Sequence, residues 1–152
     1  MKHIILLIIT FISSTFFTQN IVQLNGKFML KNGIPLEGTY QIFDDLGNLK
    51  FTYELLDGVQ NGDFISFHNN GLVKENGHYK LGVKVGSWKY FNENGILITE
   101  ISFDKFGKKD GTWKVWNHLG DLSAVMIYES GNRIGIWKSL NKEGQIAQKI
   151  NY

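Results

Sequence analysis

Gly86-Ser87-Trp88-Lys89-Tyr90-Phe91-Asn92-Glu93-Asn94-Gly95-Ile96-Leu97 is the stretch on which the fold turns. A glycine opens it, an aromatic stands two places later, and another aromatic follows three places after that. An Asn-Gly pair comes next, and a second run ends on Phe103. The same arrangement starts at Gly38, Gly62, Gly86, Gly111 and Gly135, at spacings of 24, 24, 25 and 24 residues. A fixed period of this length is the mark of a repeat architecture, in which each unit buries its apolar face only by stacking on its neighbours.

With the opening glycine counted as position 0, position +2 holds Tyr40, Phe64, Trp88, Trp113 and Trp137, and +5 holds Phe43, Phe67, Phe91, Trp116 and Leu140. Position +9 is always glycine, from Gly47 to Gly144. Position +11 is always aliphatic (Leu49, Val73, Leu97, Leu122, Ile146), and +17 holds Leu55, Tyr79, Phe103, Tyr128 and Tyr152. A second turn glycine follows at Gly58, Gly82 and Gly131, and one place late at Gly107, which accounts for the single 25-residue spacing. Each unit therefore reads as strand, turn, strand, turn. Loops this short join only antiparallel neighbours. The pattern predicts an all-β, elongated, single-layer antiparallel β-meander of repeated hairpins. A type I turn closed by a left-handed +9 glycine and a bulge would set +5 opposite +11, giving Phe43–Leu49, Phe67–Val73, Phe91–Leu97, Trp116–Leu122 and Leu140–Ile146.

The expected divisions are a signal segment over 1–18, lead-in strands over 19–37, and five repeats at 38–61, 62–85, 86–110, 111–134 and 135–152. Within the lead-in, Ile21 to Leu24 and Gly26 to Lys31 read as strands, with Asn32-Gly33 as a turn. One ambiguity is left by the side-chain period of two, which sends +2 and +5 to opposite faces of a regular strand. Either a bulge brings the two rings together, or both faces of the sheet carry aromatics.

Composition narrows the function classes. The chain has 152 residues, 17 glycines against one proline, and 21 aromatics among 11 Phe, 6 Tyr and 4 Trp. Its formal charge of +2 lacks the strong basic balance of a nucleic-acid binder, so no nucleic-acid partner is expected. The absence of cysteine excludes a disulfide framework, a thiolate zinc site and a cysteine nucleophile. Met1-Lys2-His3 is a short basic start, Ile4 to Ile12 is nearly unbroken apolar sequence, and Ser13-Ser14-Thr15 brings small residues. This is the layout of a secretory signal peptide and predicts export to the periplasm or beyond. Cleavage is expected after Thr18 or Thr15; a retained anchor is the alternative.

Reactive constellations are absent from the pattern. His68 and His118 fall beside the first turn of their repeats, where a polar turn role is the simpler expectation than a metal site. Ser66, Ser87, Ser102 and Ser123 have no nucleophile-elbow context. Asp44, Asp45, Glu93, Asp110, Asp121 and Glu143 cluster at turns, where short carboxylates bond the local backbone. No catalytic residues, metal or cofactor are expected, and no enzymatic activity. The polar feature that does recur is position +3, with Lys89, Lys114 and Lys138 in three successive units against Gln41 and Ile65 in the first two. Equivalent strands of a meander lie about 9.6 Å apart, so these lysines form a candidate binding strip. The +2 residues Tyr40, Phe64, Trp88, Trp113 and Trp137 form a candidate aromatic surface, with structural filling as the other reading.

On the units Gly86-Ser87-Trp88-Lys89-Tyr90-Phe91 and Gly111-Thr112-Trp113-Lys114-Val115-Trp116, the chain resembles the MORN-repeat-variant proteins, which in bacteria are often antitoxin-like. The resemblance covers about Gly26 to Tyr152. It departs from the family at Tyr40 and Phe64, where tryptophan is favoured, and at Leu140, where an aromatic is favoured. It implies a ribbon of hairpins and a binding role, with protein partners, sometimes membranes, or a partner toxin that is neutralised. The expectation is a non-enzymatic protein-binding scaffold. Immunity against a cognate toxin and attachment to an anionic envelope surface are the alternatives, and self-association through the C-terminal strand edge is a further option.

Overall fold

The computed structural model describes residues 5–8, 18–30 and 32–152. Ten strands follow one another in chain order: β4 (Gly38–Phe43), β5 (Leu49–Leu56), β6 (Val59–Phe67), β7 (Val73–Lys80), β8 (Val83–Phe91), β9 (Leu97–Phe103), β10 (Gly111–Trp116), β11 (Leu122–Glu129), β12 (Asn132–Leu140) and β13 (Ile146–Asn151). Each is hydrogen-bonded antiparallel to the next. Among the described residues, extensive strand contacts run only between sheet neighbours, so the sheet is one open layer.

Why the chain turns where it does is visible at Gly95. The Asn92 carbonyl accepts from the Gly95 N–H at 2.9 Å, and the Asn92 N–H donates to the Ile96 carbonyl at 2.9 Å. Gly95 sits at φ 77°, a left-handed conformation that a β-carbon penalises. The Asn92 side chain accepts from the backbone of Asn94 and Ile96, both at 3.0 Å. Asp44, Asp104, Asn117 and Asn141 staple their turns in the same way, so the turn acids and amides act on the local backbone. Those donated bonds, chiefly from Asn48, hold the Asp44 carboxyl below its usual range. The register this turn imposes is the expected one in all five repeats, from Phe43 opposite Leu49 to Leu140 opposite Ile146.

The second turns differ. Asp57-Gly58, Leu81-Gly82 and Ser130-Gly131 each place both residues at positive φ, the signature of a two-residue type I′ hairpin. After β9 the chain instead uses a longer Asp104–Gly107 turn, with the Gly107 N–H donating to the Asp104 carbonyl at 3.1 Å. That turn absorbs the extra residue of the 25-residue spacing.

The opening glycine starts a strand in repeats one and four, but in repeats two, three and five Gly62, Gly86 and Gly135 lie inside one. β6 runs through Gly62, whose φ is 128°, and its pairing with β5 is shifted between Tyr53 and Leu55. At those three boundaries the pairing is shifted, so the unit begins at a bulge that re-aims the following ring and not at a chain reversal.

The lead-in joins the sheet by an indirect route. β2 (Thr18–Leu24) and β3 (Lys27–Leu30) form a hairpin, but they do not continue the meander directly. β1 (Ile5–Ile8) lies between β2 and β4, pairing Leu7 and Ile8 with Ile42 and Gln41. An Ile-Leu-Leu-Ile run has strong β propensity, and the edge of β4 offers it unpaired backbone groups. The rest of the stretch read as signal, residues 1–4 and 9–17, lies outside the described residues. β3 is pinned to the β5–β6 turn: the Phe28 N–H donates to the Gly58 carbonyl at 2.8 Å, and the Gly58 N–H to the Leu36 carbonyl at 2.8 Å. Lys27 pairs with Asp57 beside it.

Candidate interaction surface

The two faces of the sheet carry different chemistry, and strand alternation divides them. Positions +2, +4, +13, +15 and +17 share one face. Positions +1, +3, +14 and +16 share the other, where the bulge also puts the +5/+11 pairs. Both faces thus carry aromatics, which resolves the ambiguity left by the sequence. Among the described residues, no +5 ring takes part in a ring–ring pair.

On the ring face, +2 and +17 residues interleave into a row. Phe64 meets Tyr79 edge-on at 5.6 Å, and Tyr79 meets Trp88 at 5.0 Å. Further on, Trp113–Tyr128, Tyr128–Trp137 and Trp137–Tyr152 stand 4.8, 5.1 and 4.7 Å apart. Centroid separations of this size are those that aromatic pairs favour. As a candidate aromatic surface the +2 set divides. Tyr40, Phe64 and Trp88 are 7, 6 and 0% exposed, so they have no face to offer a partner and serve as filling, while Trp113 and Trp137 are half-buried. Burial pushes the Tyr53 hydroxyl up to about 12, and burial beside the Glu75 charge does the same for Tyr90.

A second recurring residue on this face was missed in the sequence. Two places before the opening glycine stand Lys84, Lys109 and Arg133, each with its charge over the +2 tryptophan of the repeat that follows, at 3.6, 4.5 and 4.9 Å from the ring centroid. Cations so placed are attracted by the ring quadrupole and shield the ring from water. Lys84 is also held by Glu75 at 3.3 Å and by the Tyr90 hydroxyl at 3.1 Å. Comparing the column two places before each opening glycine would have found the trio, because it reads Leu36, Gln60, Lys84, Lys109, Arg133.

The opposite face carries the lysines. Position +3 of each repeat pairs with +14 of the same repeat, and +14 pairs with the next +3. One ladder therefore crosses all ten strands: Gln41, Thr52, Ile65, Asn76, Lys89, Glu100, Lys114, Val125, Lys138, Lys149. Lys89, Lys114 and Lys138 all lie on it, but they are not contiguous. Glu100 sits directly between Lys89 and Lys114, and Val125 between Lys114 and Lys138. Lys149, which sequence reading did not single out, stands opposite Lys138 and makes the last part of the ladder the most basic. Lys89 and Lys149 are exposed, while Lys114 and Lys138 are half-buried. Beside the ladder runs the +5/+11 stripe, half-buried except for Ile146, which is exposed.

Where the ladder passes repeats two and three, the face sinks into a shallow depression of about 570 Å³ whose polar lining includes Asp63, Asn76, His78, Lys89 and Glu100. His78 Nδ1 stands 3.1 Å from Asp63 Oδ1. His68 donates from Nε2 to the Phe91 carbonyl at 2.9 Å, tying its turn to the next repeat, and His118 is exposed. Among the described residues, no three His, Cys, Asp or Glu side chains converge as metal ligands.

Residues 84–105, which cover β8 from its second residue, the Asn92–Gly95 turn and β9, match the family model for the MORN repeat variant. No curated protein matches the chain. The matched unit is the third of the five copies that share one register, so the remaining copies are the same hairpin with diverged side chains.

Proposed function

We propose that this chain, carrying a MORN repeat variant, is a non-enzymatic exported repeat protein whose ladder face is a protein-binding surface. The observation that carries the reading is the division of labour between the faces. On the ring face, the aromatic row consumes its own rings and caps them with Lys84, Lys109 and Arg133. On the ladder face, Lys89, Lys114 and Lys138 stand in a register that the fold does not need, beside an apolar stripe that no second layer of the described residues covers. An uncovered stripe rimmed by charge is the surface expected of an interaction site. Export rests on the basic start and apolar run of residues 1–12; cleavage after Thr18 would take β1 from the sheet and leave residues 19–152, in which the bonds among Phe28, Leu36 and Gly58 still tie β3 to the meander. Neutralisation of a toxin would be one form of the same binding role.

A second reading, attachment to an anionic envelope surface, is favoured by Lys114, Lys138 and Lys149, which no acid separates on the ladder. One variant tests both. Residues 19–152 and the triple change Lys89→Gln, Lys114→Gln, Lys138→Gln are compared as bait in an envelope extract and in sedimentation with anionic vesicles at low and high salt. A captured protein lost from the triple variant is expected. Salt-sensitive vesicle binding without protein capture would favour the second reading, and binding unaffected by the triple change would rule out the ladder in both.

A further inference from the structure

Formal charge is distributed along the ribbon with an unusual antisymmetry. Repeats one and two (38–85) hold four lysines against six acids, or −2. Repeat three (86–110) holds four against four, or 0, and repeats four and five (111–152) hold five Lys and Arg against three acids, or +2. The midpoint of the ten strands falls between β8 and β9, where Lys89 faces Glu100 across the ladder.

From this we infer that the ladder face is an interface between two copies of this chain, related by a twofold axis that lies parallel to the strands between β8 and β9. The inference rests on the reading of that face as a binding surface and names its partner. Such an axis reverses the ladder of one copy onto that of the other. Lys89 of each copy then meets Glu100 of its mate, the aliphatic Ile65 meets the aliphatic Val125, and the amide Asn76 meets Lys114. The apolar stripe lies upon its own copy, because the axis preserves position along the strand. Repeats of charge −2 cover repeats of charge +2, and the neutral repeat covers itself. A closed twofold contact must be self-complementary in this way, and two sheets packed face to face bury their inner stripes at about 10 Å separation. Two acids of the N-terminal half, Glu54 and Asp63, are both exposed and stand on this face at positions +16 and +1. They come within a lysine's reach of the mate's Lys138 and Lys114.

Sedimentation velocity of residues 19–152 across micromolar to hundred-micromolar concentrations tests it, using two charge-reversed variants with unchanged circular dichroism. In the first, Lys114→Glu and Lys138→Glu make both halves acidic. In the second, Glu54→Lys and Asp63→Lys make both halves basic. The wild type is expected to dimerise, each variant alone to dimerise at least tenfold more weakly, and an equimolar mixture of the two to recover the dimer. If a reversed variant fails to fold, the neutral changes Lys114→Gln and Lys138→Gln against Glu54→Gln and Asp63→Gln replace it, each expected to weaken the dimer. A wild type that stays monomeric throughout, reversed variants that dimerise like the wild type, or a mixture that stays monomeric would overturn the inference. Any of these with partner capture still lost in the Lys→Gln triple would leave the binding role standing without it.

Discussion

Trp88→Ala is expected to lower the unfolding free energy by about 3–5 kcal/mol, the range for removing a fully buried aromatic. In a domain whose whole stability is roughly 5–15 kcal/mol, that is a large fraction. Among the described residues, Trp88 is the one large side chain with no exposure at all. It gets there without a second layer among the described residues. Its ring lies over the backbone of Gly77, Phe64 stands 5.7 Å to one side, Tyr79 meets it edge-on, and Lys84 covers its outer surface. Trp137, near the other end of the row, is only half-buried and has less buried surface to lose, so Trp137→Ala is expected to cost clearly less. Urea unfolding followed by circular dichroism compares the two; equal losses would mean that the row is not centred on Trp88.

Gly77→Ala is the second large effect, and it acts through the same ring. A β-carbon at Gly77 would stand 2.2 Å from the Trp88 ring. Gly77 has no left-handed φ, so the requirement for glycine here comes from the close approach and not from backbone conformation. The ring cannot swing away easily, because Phe64 and Tyr79 flank it. Overpacking of this kind costs about 1–3 kcal/mol and occasionally more. Paired with Trp88→Leu, the change should cost less than the sum of the two single losses, since the smaller side chain vacates the contested space. A Gly77→Ala protein as stable as the wild type would show that the ring is not pressed against that strand. The indole N–H of Trp88 is buried with no partner, whereas Trp113 and Trp137 donate theirs to the carbonyls of Ser102 and Ile127, both at 3.0 Å. Lying over Gly77 goes with the loss of the bond its two counterparts make.

How much of this was legible in the chain follows from which interactions are local. The +9 glycine and the residue at +6 fix a turn within five residues, so the pairing of Phe91 with Leu97 and its four equivalents could be read from spacing alone. The placement of Lys89, Lys114 and Lys138 on one face followed from the same register. What spacing could not supply was the residue between them. Glu100 belongs to the +14 column, and only the second strand of each hairpin brings it between Lys89 and Lys114. Gly77 was equally opaque: at +15 its counterparts are Tyr53, Ile101, Met126 and Ile150, and the reason for a glycine lies on another strand, in Trp88. The opening glycine was read as the start of a unit, yet Gly62 sits at a bulge within β6. Turn and bulge draw on the same left-handed backbone region, so the residue type alone does not separate them. The insertion of β1 between β2 and β4 is a long-range pairing with no periodic signal.

The open single layer on which both faces depend can be tested by one distance. The chain has no cysteine, so Asp45→Cys and Lys142→Cys place two labels without background. Both residues are exposed and stand at position +7, in the first turns of repeats one and five. Eight strand spacings separate those turns, roughly 38 Å at about 4.8 Å per strand before twist shortens the path. Pulsed electron spin resonance on the doubly labelled chain, diluted into unlabelled protein, is expected to give about 30–40 Å. A distance under about 20 Å would mean that the ribbon folds back into a sandwich or closes, leaving no free ladder face for a partner.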